Sequence, residues 1–460
     1  MKQRSLFFLA ASLWVSFAIA QPGSIDRSFK TDFDMVSGSF ETVGVQKSGK
    51  TIVGGQFEIR SLSGQKILHL ARLNKNGSLD IPFVKGSGFD GQVHKIAVQK
   101  DDKILVGGGI KQVNGMSQVS LVRLNPDGTL DPSFNFSHIS HAVLDVAIQP
   151  DNKILVTGFN QNLKSVLYRI HPNGTLDPTF SEIMLPNSNY FKIIKVLRND
   201  KIMFYSNNNL ENSPHVGLIG STGTIDTSFH LEKDVLLKWI TGIELQSDGK
   251  IILGGGFSIF ENDAYPFSIR LHPDGTLDKT YTVSGELYNT DYFNLTSICL
   301  QSDDKILAGG IFNGFNKSKT TSLIRFNAHG EYDNQFNMEY YDGDKLTGIF
   351  PYGGGKYLLT GDFVDSQALG NRSIQRIHLN WQPGPFEFTI SANPNHGVFR
   401  VDANRFVQQI TITDATGREI LKLNPYASNF NVDISDQRYG IYFLHVVWDK
   451  GSAIQKLLKL

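Results

Sequence analysis

Seven aspartates recur along this 460-residue chain at one place in a repeated phrase: Asp26, Asp80, Asp131, Asp177, Asp226, Asp278 and Asp333. Carboxylates are the raw material of general acid–base chemistry and of cation binding. Acid–base work needs two carboxyls whose surroundings push their pKa values apart. Seven residues in seven equivalent settings do not supply that asymmetry. The sequence therefore assigns them to turns, where Asp accepts hydrogen bonds from its own backbone neighbours. Arginines recur between apolar residues at Arg72, Arg123, Arg169, Arg270, Arg325 and Arg376, and glutamines at Gln46, Gln99, Gln149, Gln246 and Gln301. Both sets are expected to be polar partners between strands or repeats, because a buried unpaired group would be costly.

Other reactive residue types are scattered. The twelve histidines form no zinc spacing, and His138 and His141 are the closest pair. Glu339-Tyr-Tyr-Asp342-Gly-Asp344 is an acidic, aromatic stretch without the full calcium-loop pattern. Asn76-Gly-Ser78 and Asn173-Gly-Thr175 match the N-glycosylation sequence but read as turns. The single cysteine, Cys299, aligns with Ala97 and Ala147 and reads as a small buried hydrophobe. No Gly-x-Ser-x-Gly elbow and no phosphate-loop lysine occurs. No catalytic residue, cofactor or metal is assigned.

The elements that carry these residues are repeats. Gly-x-Leu-Asp-x-Ser-Phe and close variants occur seven times, at Gly23–Phe29, Gly77–Phe83, Gly128–Phe134, Gly174–Phe180, Gly223–Phe229, Gly275–Tyr281 and Gly330–Phe336. A hairpin phrase recurs around Lys50, Lys103, Lys153, Lys201, Lys250, Lys305 and Lys356, at spacings of 53, 50, 48, 49, 55 and 51 residues. Alternating apolar, β-branched runs separated by Asp/Asn/Gly clusters are strands and tight turns. One repeat holds four: Val93–Gln99, Lys103–Gly108, Ser120–Asn125 and Thr129–Phe134. Seven such units predict an all-β, seven-bladed β-propeller of four-stranded blades.

The phasing predicts how the ring closes. The last hairpin and arginine, residues 356–380, lack a following Gly-x-Leu-Asp phrase, and the copy at Gly23–Phe29 lacks a preceding hairpin. The N-terminal copy is expected to complete the last blade, leaving no orphan edge. The strands ending at the glutamines would be innermost, where Gly44, Ala97, Ala147 and Cys299 suit a crowded hub. The fourth repeat departs from the pattern, with Tyr205-Ser-Asn-Asn208 in place of Gly-Gly and Leu218 in place of arginine; the seventh has Gly353-Gly-Gly355 before its lysine. These departures read as drift.

Ser247-Asp-Gly-Lys250-Ile-Ile-Leu-Gly254-Gly-Gly-Phe257 and Asn125-Pro-Asp-Gly128-Thr-Leu-Asp131-Pro-Ser-Phe134 carry a resemblance. Residues 22 to 380 resemble the delta-60 repeat family of bacterial secreted proteins. That resemblance implies a propeller and no particular activity.

The two ends carry addresses. Lys2 and Arg4 precede the mostly apolar Leu6–Ala20, and Ala18-Ile-Ala20 fits signal-peptidase cleavage between Ala20 and Gln21. No later run is long enough to span a bilayer as a helix. After Trp381-Gln-Pro383-Gly-Pro385 the repeats stop, and the last ~75 residues alternate like a small antiparallel sandwich. Asn393-Pro394-Asn-His-Gly397, Asp414-Ala-Thr-Gly417-Arg418, Gly440-Ile-Tyr442 and the ending Gln455-Lys456-Leu-Leu-Lys-Leu460 occur in order. This tail resembles the type A C-terminal sorting domain of the Bacteroidetes type IX secretion system. The resemblance implies an Ig-like sandwich and a periplasmic passage. It also implies the secretion translocon as partner, and release or surface attachment after tail removal. The expected layout is a signal peptide over 1–20, the propeller over 21–382, and linker plus sorting domain over 383–460.

Composition closes off several classes. With 44 basic and 44 acidic residues the chain has no basic footprint for nucleic acid. At 40% hydrophobic content it can bury a core, and one cysteine excludes a disulfide scaffold. The expected function is a secreted or surface-held binding module for a glycan or surface protein. Recognition would lie on variable loops, with Phe260, Glu261, Tyr288, Asp291, Tyr292, Tyr340, Tyr341, Asp342 and Asp344 as candidates. The rival is a propeller hydrolase or lyase acting on extracellular glycans or lactones, which would need non-repeating carboxylates or histidines converging at the channel mouth.

Overall fold

A computed structural model describes residues 23–460 except 84–87, 118–119, 186–189, 198–199, 208–215, 233–234, 260–266, 284–293, 312–321, 335, 337–344, 365–370, 380–387, 392–395, 408, 426 and 449–450. Among the described residues the chain is all-β, with one 3-10 turn at Ile81–Phe83. No helix is long and apolar enough to cross a membrane among the described residues.

Seven antiparallel sheets follow one another. The first holds β1 (Phe33–Val45), β2 (Thr51–Ser61) and β3 (Lys66–Leu73). The second holds β4 (Val93–Val98), β5 (Ile104–Gly108) and, after the small hairpin β6 (Gln112–Val113) and β7 (Met116–Ser117), β8 (Leu121–Leu124). The third holds β9 (Val143–Ile148), β10 (Ile154–Phe159), β11 (Ser165–Ile170) and the two-residue β12 (Ile183–Met184). The fourth holds β13 (Tyr190–Val196), β14 (Ile202–Asn207) and β15 (Val216–Ile219); the fifth β16 (Val235–Leu245), β17 (Ile251–Ile259) and β18 (Ser268–Leu271). The sixth holds β19 (Asn294–Leu300), β20 (Ile306–Ile311) and β21 (Leu323–Phe326); the seventh β22 (Lys345–Gly353), β23 (Lys356–Val364) and β24 (Asn371–His378). The first strand of each sheet lies against the first strand of the next, and β22 lies against β1. The glutamine-bearing strands are thus innermost. Their hub is crowded: a Cβ on Gly44 would come within 2.7 Å of the Ile96 side chain.

The Gly-x-Leu-Asp strand is shorter than its sequence suggests. It meets the third strand through a single bridge, Leu73↔Leu79, Leu124↔Leu130, Ile170↔Leu176, Ile219↔Ile225, Leu271↔Leu277 or Phe326↔Tyr332. In the second sheet the backbone hydrogen bonds Asn125 N–Thr129 O (2.8 Å) and Asp131 N–Arg123 O (2.9 Å) flank that bridge. Asp131 then turns the chain, accepting Ser133 N at 3.0 Å, and Pro132 has no N–H to continue the ladder. The seventh copy closes the ring from the other end of the chain: Ile25 bridges Ile377, Asp26 N donates to Arg376 O at 2.7 Å, and Gly23 N to His378 O at 2.7 Å.

Buried aliphatic and aromatic residues pack between neighbouring sheets. Phe40, Val53, Phe57 and Leu73 of the first sheet cluster with Leu358 and Ile374 of the seventh.

The tail is a two-layer sandwich. Sheet β25 (Phe388–Ser391), β26 (Val398–Val407), β29 (Ala427–Asp433) shares a core with the second sheet, built of β27 (Gln409–Asp414), β28 (Glu419–Leu423), β30 (Gly440–Trp448) and β31 (Gly451–Lys459). Val401, Ile410, Ile412, Val432, Leu444, Val446 and Leu457 fill that core.

Candidate functional site

Each letter of the repeated phrase has a contact. In the second sheet, Arg123 Nε donates to Asp131 Oδ2 at 2.7 Å, and Lys103 Nζ donates to the same oxygen at 2.8 Å. The other carboxylate oxygen accepts Ser133 N and Oγ. The guanidinium lies 4.8 Å over the Phe134 ring. Its Nη1 reaches out of its own blade to Pro172 O in the turn of the next. Its Nη2 donates to Ser133 Oγ at 3.1 Å, so the arginine forms a clamp with four attachments, one of them between blades.

The clamp repeats around the ring. Arg72 binds Asp80 and Pro126 O, and Arg169 binds Asp177 and Ser221 O. Arg270 binds Asp278 and Ala328 O. Arg325 binds Asp333. At the closure, Arg376 binds Asp26 at 2.8 Å and Lys75 O at 2.8 Å, carrying the chain's end onto the first sheet. Two glutamines join in: Gln46 Oε1 accepts Arg72 Nη1 at 3.2 Å, and Gln246 Oε1 accepts Arg270 Nη1 at 3.3 Å. The aspartates are turn acceptors and Arg72, Arg123, Arg169, Arg270 and Arg376 inter-blade partners, as their equivalence implies. The side-chain oxygens of Gln99, Gln149 and Gln301, however, are buried without a hydrogen-bond partner among the described residues, against the expectation for the glutamines.

These carboxyls stay ionised. Burial opposes ionisation of Asp26, Asp80, Asp131, Asp177 and Asp278, but hydrogen bonds from lysine, arginine and Ser/Thr partners outweigh it and hold each below the usual carboxylate range. A carboxylate saturated by two cations and a turn is no proton donor at neutral pH.

The fourth blade lacks the clamp. Leu218 occupies the arginine's place, accepting Asp226 N on its carbonyl at 2.7 Å, as Arg123 accepts Asp131 N. Leu197 stands in the glutamine's place, accepting Lys201 N at 2.7 Å as Gln99 accepts Lys103 N. Asp226 keeps Lys201 at 2.8 Å, and mainly this bond lowers its pKa to about 2. One step along, Lys195 on β13 pairs with Glu244 on β16 at 2.7 Å, tying the inner strands of the fourth and fifth sheets. Cys299, on β19, is buried, and burial pushes its thiol well above the usual range.

The remaining candidates separate into two groups. His138 is exposed, its ring 5.7 Å from that of Tyr168, while His141 Nδ1 meets Ser140 Oγ at 3.1 Å. Among the described residues no three His, Cys, Asp or Glu side chains gather as a metal site. Asn76 and Asn173 each accept a turn hydrogen bond from the residue two positions on. Ala20, Gln21, Phe260, Glu261, Tyr288, Asp291, Tyr292, Tyr340, Tyr341, Asp342, Asp344, Asn393 and Pro394 lie outside the described residues. Their described neighbours still define a face. Val45 pairs with Thr51 and Thr51 with Leu73, so the hairpin turns and the Gly-x-Leu-Asp turns share one end of the sheets. Ile259, Asn294 and Lys345, which border the three candidate loops, stand at the opposite end of their sheets.

In the tail, Asp414, Gly417 and Arg418 make the tight turn between β27 and β28. Asp414 Oδ1 accepts Thr416 N and Oγ1, which together with Arg418 lowers its pKa to about 2. Gly397 (φ +104°) lies so close to Ser435 that a Cβ would come within 2.5 Å of its Cα. Gly440 opens β30, and Tyr442 OH donates to Arg438 O at 2.7 Å. Lys456 is exposed. Sequence reasoning missed Lys459. It is 4% exposed, and its ammonium donates to Ile434 O (2.9 Å), Ser435 O (2.7 Å) and Gln437 O. A charged residue one position from the chain's end gives no periodicity signal that would mark it as buried.

Comparison with known proteins follows the same division. Residues 46–80, 99–134, 149–180, 246–281 and 301–336 match the family described as Domain of unknown function (DUF5122) beta-propeller. Each match starts at one of the five glutamines, and four of the five end on the phrase aromatic. The fourth and seventh blades, which lack that glutamine, carry no match. Residues 390–459 match the Secretion system C-terminal sorting domain. No curated protein matches the chain. Among solved structures the chain is similar to PorZ, a surface component of the type-IX secretion system of Porphyromonas gingivalis (13% identity, TM-score 0.42, 92% of this chain and 60% of that one). It is also similar to the extracellular domain of a two component system from B. thetaiotaomicron (12% identity, TM-score 0.44, 93% and 57%). The chain thus spans less than two thirds of either.

Proposed function

We propose that this chain, a β-propeller carrying DUF5122 repeats and a type IX secretion C-terminal sorting domain, is a binding or interaction module working at the cell surface or in the extracellular space. The observation that carries this reading is the clamp. The repeated carboxylates are tied into ion pairs and turns that hold the ring together. A rigid ring that leaves its connecting loops free to vary is a platform for recognition.

On this reading the loops around Phe260 and Glu261, around Tyr288, Asp291 and Tyr292, and from Tyr340 to Asp344 contact a glycan or surface protein. The described residues that border them, Ile259, Asn294 and Lys345, stand at the strand ends away from the hairpin turns. The mature chain begins at Gln21, residues 21–382 form seven blades, and residues 383–460 serve as a removable address. Deleting residues 386–460 should leave the propeller inside the cell, and normal export of that truncation would overturn the address.

The test of function is a glycan and surface-protein binding screen on the mature chain, repeated with alanine at the loop aromatics. A loop-dependent ligand is expected. Silence in the screen together with turnover of a polysaccharide would favour the hydrolase or lyase reading instead.

A further inference from the structure

The hairpin-turn face carries a cleft at the irregular seventh hairpin. It measures about 580 Å³ and opens where the turns of the seventh, first and second sheets meet, lined by Lys47, Lys75, Asp102, Tyr352, Gly353 and Gly354 among others. Its volume lies within the range of small-ligand sites. The seventh hairpin differs from its equivalents at the positions that form this cleft. Tyr352 stands where five other hairpins have glutamine, and three glycines replace the usual Asp-containing turn. Gly353, Gly354 and Gly355 have φ of +96°, +61° and +72°, and a Cβ on Gly353 or Gly354 would meet nothing within 4 Å. The rim is therefore bare for conformational reasons and not because a neighbour crowds it.

The lining has a definite chemistry. Tyr352 is fixed in place, its hydroxyl donating to Gly49 O at 2.8 Å and one ring face covered by Arg376 at 4.6 Å. Asp102 is fixed as well, accepting Lys47 N at 3.0 Å. The seven hairpin lysines each pair with the aspartate of a Gly-x-Leu-Asp phrase. Among the described residues neither Lys47 nor Lys75 enters an ion pair, and both are exposed. Two cationic side chains, one carboxylate and a held aromatic thus share one open cleft.

We propose that this cleft binds an acidic saccharide, with a uronic-acid carboxylate between Lys47 and Lys75, hydroxyls on Asp102, and a sugar face against Tyr352. The proposal rests on the reading of the chain as a binding module and adds a second site and a ligand class. A free phosphate would use the lysines and leave the aromatic and the carboxylate without a role. A peptide adding to a sheet needs an unpaired strand edge. The cleft is walled by hairpin turns whose strands are already paired.

The test is calorimetric titration of the full mature chain with a galacturonic acid trisaccharide, its neutral galactose counterpart and inorganic phosphate. The acidic trisaccharide should bind in preference to both, more weakly at high salt because part of the attraction is screened. K47E/K75E should weaken it about tenfold or more without moving the melting temperature, since both side chains are exposed and the clamp uses only the Lys75 carbonyl. Y352F should retain binding and Y352A should lose it. Equal binding by K47E/K75E, equal binding of the neutral sugar, or phosphate binding as tightly as the trisaccharide would overturn the proposal. If the acidic sugar fails while another ligand binds in a way that depends on Phe260, Tyr288, Tyr292, Tyr340 or Tyr341, only this site falls. If no ligand binds and a polysaccharide is cleaved, the binding-module reading falls with it.

Discussion

Asp26 and Arg376 stand 350 positions apart and are joined by a 2.8 Å ion pair, with side chains only 5% and 3% exposed. The same guanidinium reaches Lys75 O at 2.8 Å. One side chain therefore ties the N-terminal segment, the seventh sheet and the first sheet together.

Removing one partner of such a buried pair leaves an uncompensated charge, at a cost of about 3–5 kcal/mol. D26A is expected to lose that much stability in urea denaturation. D226A removes a carboxylate whose lysine partner is 44% exposed and which has no arginine, so it should lose about 1 kcal/mol or less. Equal losses would show that the clamp does not hold the ring.

The clamp also sets the acid response. Asp26, Asp80, Asp131, Asp177, Asp226 and Asp278 all have folded pKa values below the ordinary 3.8. A depressed carboxyl adds stability above its unfolded pKa and loses it as pH falls toward the folded value, about 2 for Asp226. The melting temperature should be insensitive to these groups down to about pH 4.5 and then fall steadily toward pH 2. A melting series checks this, and no loss between pH 4 and 2 would contradict it.

Lys459 fastens the last strand of the tail to the 434–437 turn. K459M strands three carbonyls and should cost about 1–3 kcal/mol, seen as faster amide exchange along β31 and β30. K456M, at an exposed position, should stay within about 0.5 kcal/mol. The reverse order would mean that the exposed lysine is the structural one.

Cys299 should resist modification. Burial raises its thiol pKa and removes it from solvent, so a thiol reagent at pH 8 should label it only after unfolding. Rapid labelling of the folded chain would contradict its place in the core beside Leu307 and Leu346.

Much of the fold was legible because a repeat prints the same physical demand seven times. Asp131, Ser133 and Phe134 recur as a set because one arginine touches all three, so their spacing alone located the turn and the outer strand. The displaced first copy announced the closure. The departures were harder to weigh. Leu218 read as drift, yet with Leu197 in the glutamine's place it removes the polar clamp from the fourth blade. The Gly353–Gly355 turn read as drift, and the importance of its neighbour Tyr352 depends on meeting Lys47 and Lys75 from another blade.

By itself, then, the sequence determined the all-β class, the repeat boundaries, the shared ring and the tail, because local hydrogen-bonding patterns and strand periodicity act over a few residues. Only the tertiary structure decided where Arg123 sends its second nitrogen, that Lys459 is buried, and which turns face a common cleft. Those relationships join residues from about 20 to about 300 positions apart, and their geometry depends on how neighbouring sheets pack rather than on any residue's immediate neighbours.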